Sequence, residues 1–359
     1  MGINPQFEKY SMNNNQLNTE IKERLANWKA IIQQYQVPNN KKAVLQILTT
    51  FLPFLALWVL IYFTMQYSVW LSIPLFIVNA FFLVRIFIIQ HDCGHQSFFR
   101  SKKLNDVIGT VCSVFSVIPY KYWSKIHNFH HGHTGQLEVR EIGDIPTMTL
   151  NEYLNADWWR KLKYRIFRFP LVTFVIAPVY YFLVPCRYPT THFNKWGKYM
   201  KMTIKDNFWI ALSYIVVGTL VGWPMFLLIQ LTLVTLFGIV AFWFFYVQHQ
   251  HEFSYKQWKY NWDFLLSAVR GSTYYKLPRA FHWLTGNIGY HHIHHLSSLI
   301  PNYNLPKCFK EQPLLNEYVT EIKFWQSLKM MKYKLWDEEQ EKMISFSEYR
   351  QIKRMRLSA

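Results

Sequence analysis

Twelve of the 14 histidines in this chain fall in four short windows, 91–95, 127–133, 249–251 and 291–295. Imidazole is both a common metal ligand and the side chain that titrates nearest neutral pH, so this clustering points to metal or proton chemistry. On a helix, residues three or four apart share a face. His91 and His95 are four apart; His127 pairs in this way with His130 and His131, and His291 with His294 and His295. Three helical segments would therefore present eight nitrogens to one locus, and His249 could supply a ninth. No single ion accepts so many, since structural zinc takes four ligands and non-haem iron typically two histidines and a carboxylate. Two metals at four or five nitrogens each account for the set, and imidazole alone leaves iron, copper, zinc and nickel open.

Ligand rings are usually oriented by polar neighbours. Asp92, Glu138, Asp144 and Glu252 are the carboxylate candidates and Asn287 an amide candidate, although each also fits a solvated surface position. His192 and His282 read as isolated polar residues, while His133, His251 and His292 lie off the shared faces.

The elements that must position these boxes are apolar. Residues 43–84 carry no charged side chain, about twice the length one membrane helix needs. A break near Gln66–Ser68 gives spans of about 43–65 and 69–90, with Arg85 expected to snorkel toward the interface. Residues 207–251 are also uncharged, and Gly222-Trp-Pro224 divides them into spans of about 206–222 and 226–248. All 39 Lys and Arg lie in 1–42, 85–206 and 252–359, so the positive-inside rule puts these three segments in the cytoplasm. The net charge of +18 thus belongs to the inner face of a membrane protein and not to a nucleic-acid binder.

Between the hairpins, 105–120 is too short to span, and 169–185 is interrupted by Pro170, Pro178 and Pro185. If either crossed alone, the second and third boxes would face opposite sides. Both are expected to be interfacial or re-entrant, or else a paired crossing. Residues 17–37 have an amphipathic pattern that suits an interfacial or ordinary surface helix, and 317–334 reads as another surface helix. Residues 1–42 do not read as a cleavable signal peptide or a myristoylation site. The four cysteines show no paired spacing and read as unlinked thiols. The expected fold is an all-α integral membrane protein: two hairpins capped by a cytoplasmic, helical, histidine-rich di-metal domain. Its divisions are an N-terminal segment 1–42, a main domain 43–310 and a helical tail 311–359. Within the main domain the hairpins cover about 43–90 and 206–248, and the histidine segments 91–205 and 249–310.

Three stretches carry a family resemblance: His91-Asp-Cys-Gly-His95-Gln-Ser-Phe-Phe, His127-Asn-Phe-His-His131, and Gly286-Asn-Ile-Gly-Tyr-His-His-Ile-His-His-Leu-Ser-Ser-Leu-Ile-Pro-Asn-Tyr-Asn304. They resemble the membrane fatty acid desaturases, in particular the bacterial acyl-lipid branch related to omega-6 (delta-12) and delta-5 enzymes. The resemblance covers about residues 45–310. It implies an oxygen-dependent enzyme with two iron ions (Fe2+) that inserts a cis double bond into an acyl chain. It also implies that His91, His95, His127, His130, His131, His291, His294 and His295 are iron ligands, with His249 at the family's additional ligand position. Animal acyl-CoA members carry a water-holding Asn four residues before that ligand; here the place is Phe245. The resemblance further implies an acyl chain of a membrane lipid, or acyl-CoA, as substrate, and a separate ferredoxin or cytochrome as electron donor. The expected location is a bacterial inner membrane with both termini and all boxes cytoplasmic. The spacing equally fits a lipid, alkane or carotenoid hydroxylase or ketolase. A histidine-rich transporter or sensor would need polar or ionisable residues forming a path within the spans, and the two uncharged blocks contain almost none.

Overall fold

The computed structural model describes residues 13–189 and 196–358, which leaves His192 outside the described residues. The chain is mostly helical. Helix α1 (Asn14–Arg24) leads to the first hairpin, α2 (Asn40–Tyr67) and α3 (Val69–Gly94), turned at Ser68. Then come α4 (Lys102–Ser116) and α5 (Tyr120–His133), which carries the second histidine box. The second hairpin is α6 (Trp196–Val221) and α7 (Trp223–His249). It turns at Gly222, whose φ of +95° is one that residues with a side chain rarely adopt. Helices α8 (Phe264–Arg270) and α9 (His291–Leu296) follow. By length and composition four helices can cross a membrane: α2, α3, α6 from Gly197, and α7.

α2, α3 and α6 run past the uncharged blocks, because hydrogen-bonding continues into the polar flank, while α7 ends just inside its block. α3 therefore extends into the first box, and α7 includes His249 as its last residue. α3 is the most enclosed and packs against α2, α4 and α7. α2, α6 and α7 keep an outer face of exposed Leu, Ile, Val, Phe and Trp, the inverse of a water-facing helix. Arg85 departs from the snorkelling expectation. It is buried, donating from Nε to Thr50 Oγ1 at 2.9 Å and from Nη1 to the Trp283 carbonyl.

Residues 158–167 and 172–183 form a helix pair bent by 63°. The bend comes at Pro170 and a π-helical turn over Val172–Ile176, and Phe174 and Phe182 pack on Trp243 and Phe237 of α7. The ends of α3, α5 and α7 meet at one place, and α6–α7 is a hairpin that returns to its starting side. The segment between α5 and α6 therefore makes no unpaired crossing.

Two of the expected surface helices differ. Residues 17–37 divide into α1 and Trp28–Gln33, and their apolar face meets protein instead of lipid. Leu17, Ile21, Leu25 and Ile32 pack with Leu266 and Val269 of α8, Ile293 and Leu296 of α9, and Leu305 and Cys308. Lys22 and Arg24 pair with Asp263 and Glu317 at 3.0 and 2.7 Å. The stretch 317–334 is not one helix. Strand β1 (Thr273–Lys276) pairs in parallel with β2 (Thr320–Lys323), and after helix Phe324–Met330 strand β3 (Tyr333–Asp337) pairs antiparallel with β4 (Lys342–Ser345). Backbone partners supplied by distant strands override a short mixed pattern that suits either state. All four cysteines are free and buried.

Because α1 and its neighbours cover α9, the N-terminal cap should help hold the third box. Leu25→Ala is expected to destabilise the protein by about 2–5 kcal/mol. The check is the thermal unfolding midpoint in detergent, and an unchanged midpoint would deny the cap that role.

Candidate metal centre

Three long helices, α3, α5 and α7, end at the same place and carry their histidines in the last turns. The C-terminal end of a helix carries partial negative charge, which favours a cation. The fourth contributor, α9, has only six residues, of which four are histidines, and all six are buried. So short a helix is not stable alone; α8 and the N-terminal cap hold it. On the other side, Gly143 (φ +72°) lies against α5, where a Cβ would come within 3.1 Å of His130 Cβ.

The rings form two adjoining groups. His91, His95, His127, His131 and His294 offer nitrogens all within 4.8 Å of one another, and so do His130, His249 and His295. His291 joins the second group, with its Nε2 2.9 Å from His249 Nε2 and 3.0 Å from His295 Nε2. In the first group His131 Nε2 faces the Nε2 atoms of His127 and His294 at 3.1 and 3.0 Å. The rings of His131 and His295 stack at 4.2 Å where the groups meet.

Polar neighbours of three rings indicate which nitrogen is bare. His249 Nδ1 donates to the Gly271 carbonyl at 3.2 Å, so its Nε2 is a lone pair aimed at His291. His95 Nδ1 donates to Asn128 Oδ1 at 2.7 Å, leaving an Nε2 that is buried without a partner. His91 Nδ1 donates to Asp92 Oδ1 at 3.0 Å, and Asp92 Oδ2 accepts from the backbone and side-chain nitrogens of Asn302 at 2.6 and 2.8 Å. Asn287 Nδ2 in turn donates to the Asn302 carbonyl at 3.2 Å.

This arrangement fits metal ions. His131 Nε2 and His291 Nε2 each face two other ring nitrogens, and one N–H can satisfy only one of them. The remaining contacts set lone pair against lone pair unless a cation lies between. At about 2.1 Å from an ion, two ligands at right angles stand about 3.0 Å apart, matching the spacings above. Burial first, and then mutual repulsion, hold His95, His127, His131, His291, His294 and His295 well below the ordinary imidazole pKa. Burial takes His130 down to about 4. These seven rings are thus neutral, as ligands must be.

Of the orienting candidates, Asp92 touches a ring and Asn287 acts through Asn302. Asp144 is buried 4.0 Å from Lys256 and makes no hydrogen bond to a ring. Burial works to raise its carboxyl, but Lys256, His249 and His130 together bring it below the usual value. Glu138 accepts from the Lys259 amide and Glu252 from the Tyr333 hydroxyl, away from the rings. His133 stacks on Phe129, His292 meets Asn316 Oδ1 at 3.0 Å, His282 stacks on Tyr290 and His251 is buried; none joins either group. The pattern of the sequence does not single out Asn128, Asn302 or Trp123, whose ring stacks on His127 at 4.6 Å. Two of them had a signal in their position: Asn128 lies inside the second box and Asn302 in the Ile-Pro-Asn-Tyr-Asn tail. Phe245 packs 5.3 Å from His130 and 5.1 Å from His249, making that wall apolar.

A family model described as fatty acid desaturase matches residues 68–325. The chain belongs to the fatty acid desaturase family. It is 39% identical over 325 residues to a fatty acid desaturase of Bacillus subtilis, covering 89% of this chain and 90% of that one. It is 27% identical over 278 residues to an sn-1 oleoyl-lipid 12-desaturase of Picosynechococcus, covering 72% and 75%. It is 29% identical over 275 residues to an sn-1 acyl-lipid omega-3 desaturase (ferredoxin) of Nostoc, covering 72% and 73%. The desaturase is accordingly an oxidoreductase and a membrane protein, and two of its apolar helices, α3 and α7, end at histidine groups that could hold metal ions.

Two outcomes follow from the geometry. Asp92→Asn and Asn128→Leu should each weaken metal binding about 10–100-fold by releasing a ring; metal content after dialysis against a graded chelator measures this. In the metal-stripped protein, those seven folded rings stay neutral while unfolded histidines gain protons below about pH 6.5. Stability should therefore fall as pH drops from about 6.5 toward the His130 value of about 4. A thermal midpoint independent of pH between 7.5 and 5, roughly spanning that range, would contradict the neutral-ring assignment.

Proposed function

We propose that the two histidine groups each hold one iron ion, and that the desaturase uses O2 to introduce a cis double bond into the acyl chain of a membrane lipid. The observation that carries this reading is the pair of adjoining all-imidazole groups, five rings and four, inside a desaturase chain. Bound iron would supply the activation of O2: two hydrogens from adjacent methylenes, with two electrons from the donor and two protons, would reduce one O2 to two waters and leave the double bond.

The chain's own residues perform the remaining tasks. Asp92, Asn128 and the Gly271 carbonyl fix three rings with Nε2 inward, so these ligands need little reorganisation on metal binding. Trp123 and Phe245 wall the groups with apolar rings, which limits water at the centre. The first group lies at the end of α3 and the second at the end of α7, so an acyl chain between these helices would reach both. The Picosynechococcus and Nostoc relatives, named as oleoyl-lipid and acyl-lipid desaturases, favour an acyl-lipid substrate, and the Nostoc relative's ferredoxin favours a ferredoxin as donor. The positive flanks favour a bacterial inner membrane with the boxes in the cytoplasm.

Expression in a host with saturated lipids, followed by fatty-acid profiling with double-bond location, tests the proposal. New cis-unsaturated acyl chains are expected, and chains carrying an added oxygen atom instead would overturn it. His130→Ala and His294→Ala should each abolish the product and lower bound iron. Full activity with retained iron in either variant would refute the ligand assignment.

A further inference from the structure

Arg85 lies on α3 six residues before His91, a rise of about 9 Å. It is 5% exposed and its contacts are all neutral: the Thr50 hydroxyl, the Trp283 carbonyl and the Trp283 ring face, 4.0 Å from the guanidinium. Among the described residues no carboxylate pairs with it, and its Nη2 has no partner. A cation buried beside apolar helices is costly without a counter-charge, and proteins ordinarily supply one.

A second observation lies on the facing helix. Lys42, Gln46 and Thr50 recur every four residues and share one face of α2. Gln46 is 5% exposed, and its Nε2 is buried without a partner. At the outer end of this row Lys42 is exposed and reaches Asn304 Oδ1 at 3.2 Å. The seam between α2 and α3 thus holds two unused donors, one of them cationic, and no anion. Its rim is aromatic: Phe281 and Trp283 are each 42% exposed and meet Phe81 and Phe82 edge-on. Half-exposed aromatic rings beside spanning helices mark the headgroup level of a bilayer.

We propose that this seam binds the phosphate of a phospholipid, with Arg85 and Gln46 as donors, Trp283 as the covering ring and Lys42 at the mouth. A guanidinium fork matches phosphate oxygens, and the resulting hydrogen bonds are charge-assisted. The bound lipid supplies the charge that Arg85 lacks. The inference rests on the acyl-lipid reading above and deepens it: the substrate is a phosphate-bearing lipid held at its headgroup, within about two helical turns of the first histidine.

Two measurements on the iron-loaded enzyme test it. The first is phospholipid retained through purification in mild detergent, assayed as organic phosphate per chain beside iron content. Arg85→Gln and Gln46→Leu should each lose retained phospholipid while keeping iron, and Arg85→Lys should recover part of it. The second compares substrates. Arg85→Gln should raise KM for a phospholipid about tenfold more than for a neutral diacyl galactolipid, the weight of one charge-assisted hydrogen bond. Undiminished phospholipid in Gln46→Leu, or equal loss for both substrates in Arg85→Gln, would make Arg85 a structural cross-link and overturn the site. Gln46→Leu deletes one uncharged donor, so it carries the test if Arg85→Gln fails to fold. Inorganic phosphate is expected to leave the lipid in place, and displacement would reassign the seam to free anions. Lipid retention is read without turnover, so its failure is distinguishable from failure of the desaturase reading.

Discussion

Nine imidazole rings packed with several nitrogens near 3 Å apart repel one another unless cations lie among them. The rest of the structure depends on that constraint. Four separate elements must deliver their rings to the same small volume, and all must be kept neutral, dry and correctly turned. Burial does the first part by disfavouring imidazolium. The ends of α3, α5 and α7 deliver the rings, and their partial negative charge favours a cation at the locus.

The orientation of the rings is achieved with few groups, and these link distant parts of the chain. Asp92 holds His91 from within the first box, but Asn302, from just past the third box, holds Asp92. One carboxylate therefore ties α3 to the segment after α9. Asn128, inside the second box, reaches back to His95 and also donates to the Gly94 carbonyl at 3.2 Å. Gly271, at the end of α8, orients His249 at the end of α7. The boxes are thus mutually braced, and α9, too short to stand alone, is also clamped from outside by the N-terminal cap.

Buried cations away from the rings have two different settings. Arg168 is enclosed by oxygens: the carbonyls of Pro146 and Tyr333, the Tyr246 hydroxyl and the Gln250 amide. It joins the bent helix pair to the end of α7 and to β3, and its demand for acceptors is largely met by the protein. Arg85 meets fewer acceptors and sits at the level where the protein borders lipid. Each guanidinium keeps one nitrogen without a partner, Nε in Arg168 and Nη2 in Arg85, so the two differ in the number of acceptors around them and in their closeness to lipid.

The sequence by itself determined the spans, the pairing of histidines on helix faces and their even-numbered topology. These depend on local periodicity and on runs of uncharged residues, which a single segment expresses without help. It also determined the desaturase resemblance, through box spacings that are local. Only the tertiary structure decided how nine rings divide into five and four, because the division cuts across the boxes: His130 and His131 are adjacent in sequence yet serve different groups. It alone decided that Asp92 and not Glu138 or Glu252 meets a ring. A carboxylate's partner is set by which distant backbone lies within 3 Å, and composition carries no trace of that. The amphipathic face of 17–37 likewise announced that it would be buried, but not against what. A helix pattern records only that water is avoided, and lipid and protein satisfy it equally. Arg85 escaped for a related reason: whether a cation near a helix end reaches water depends on what packs over it, and here that cover is Trp283, some two hundred residues away in sequence.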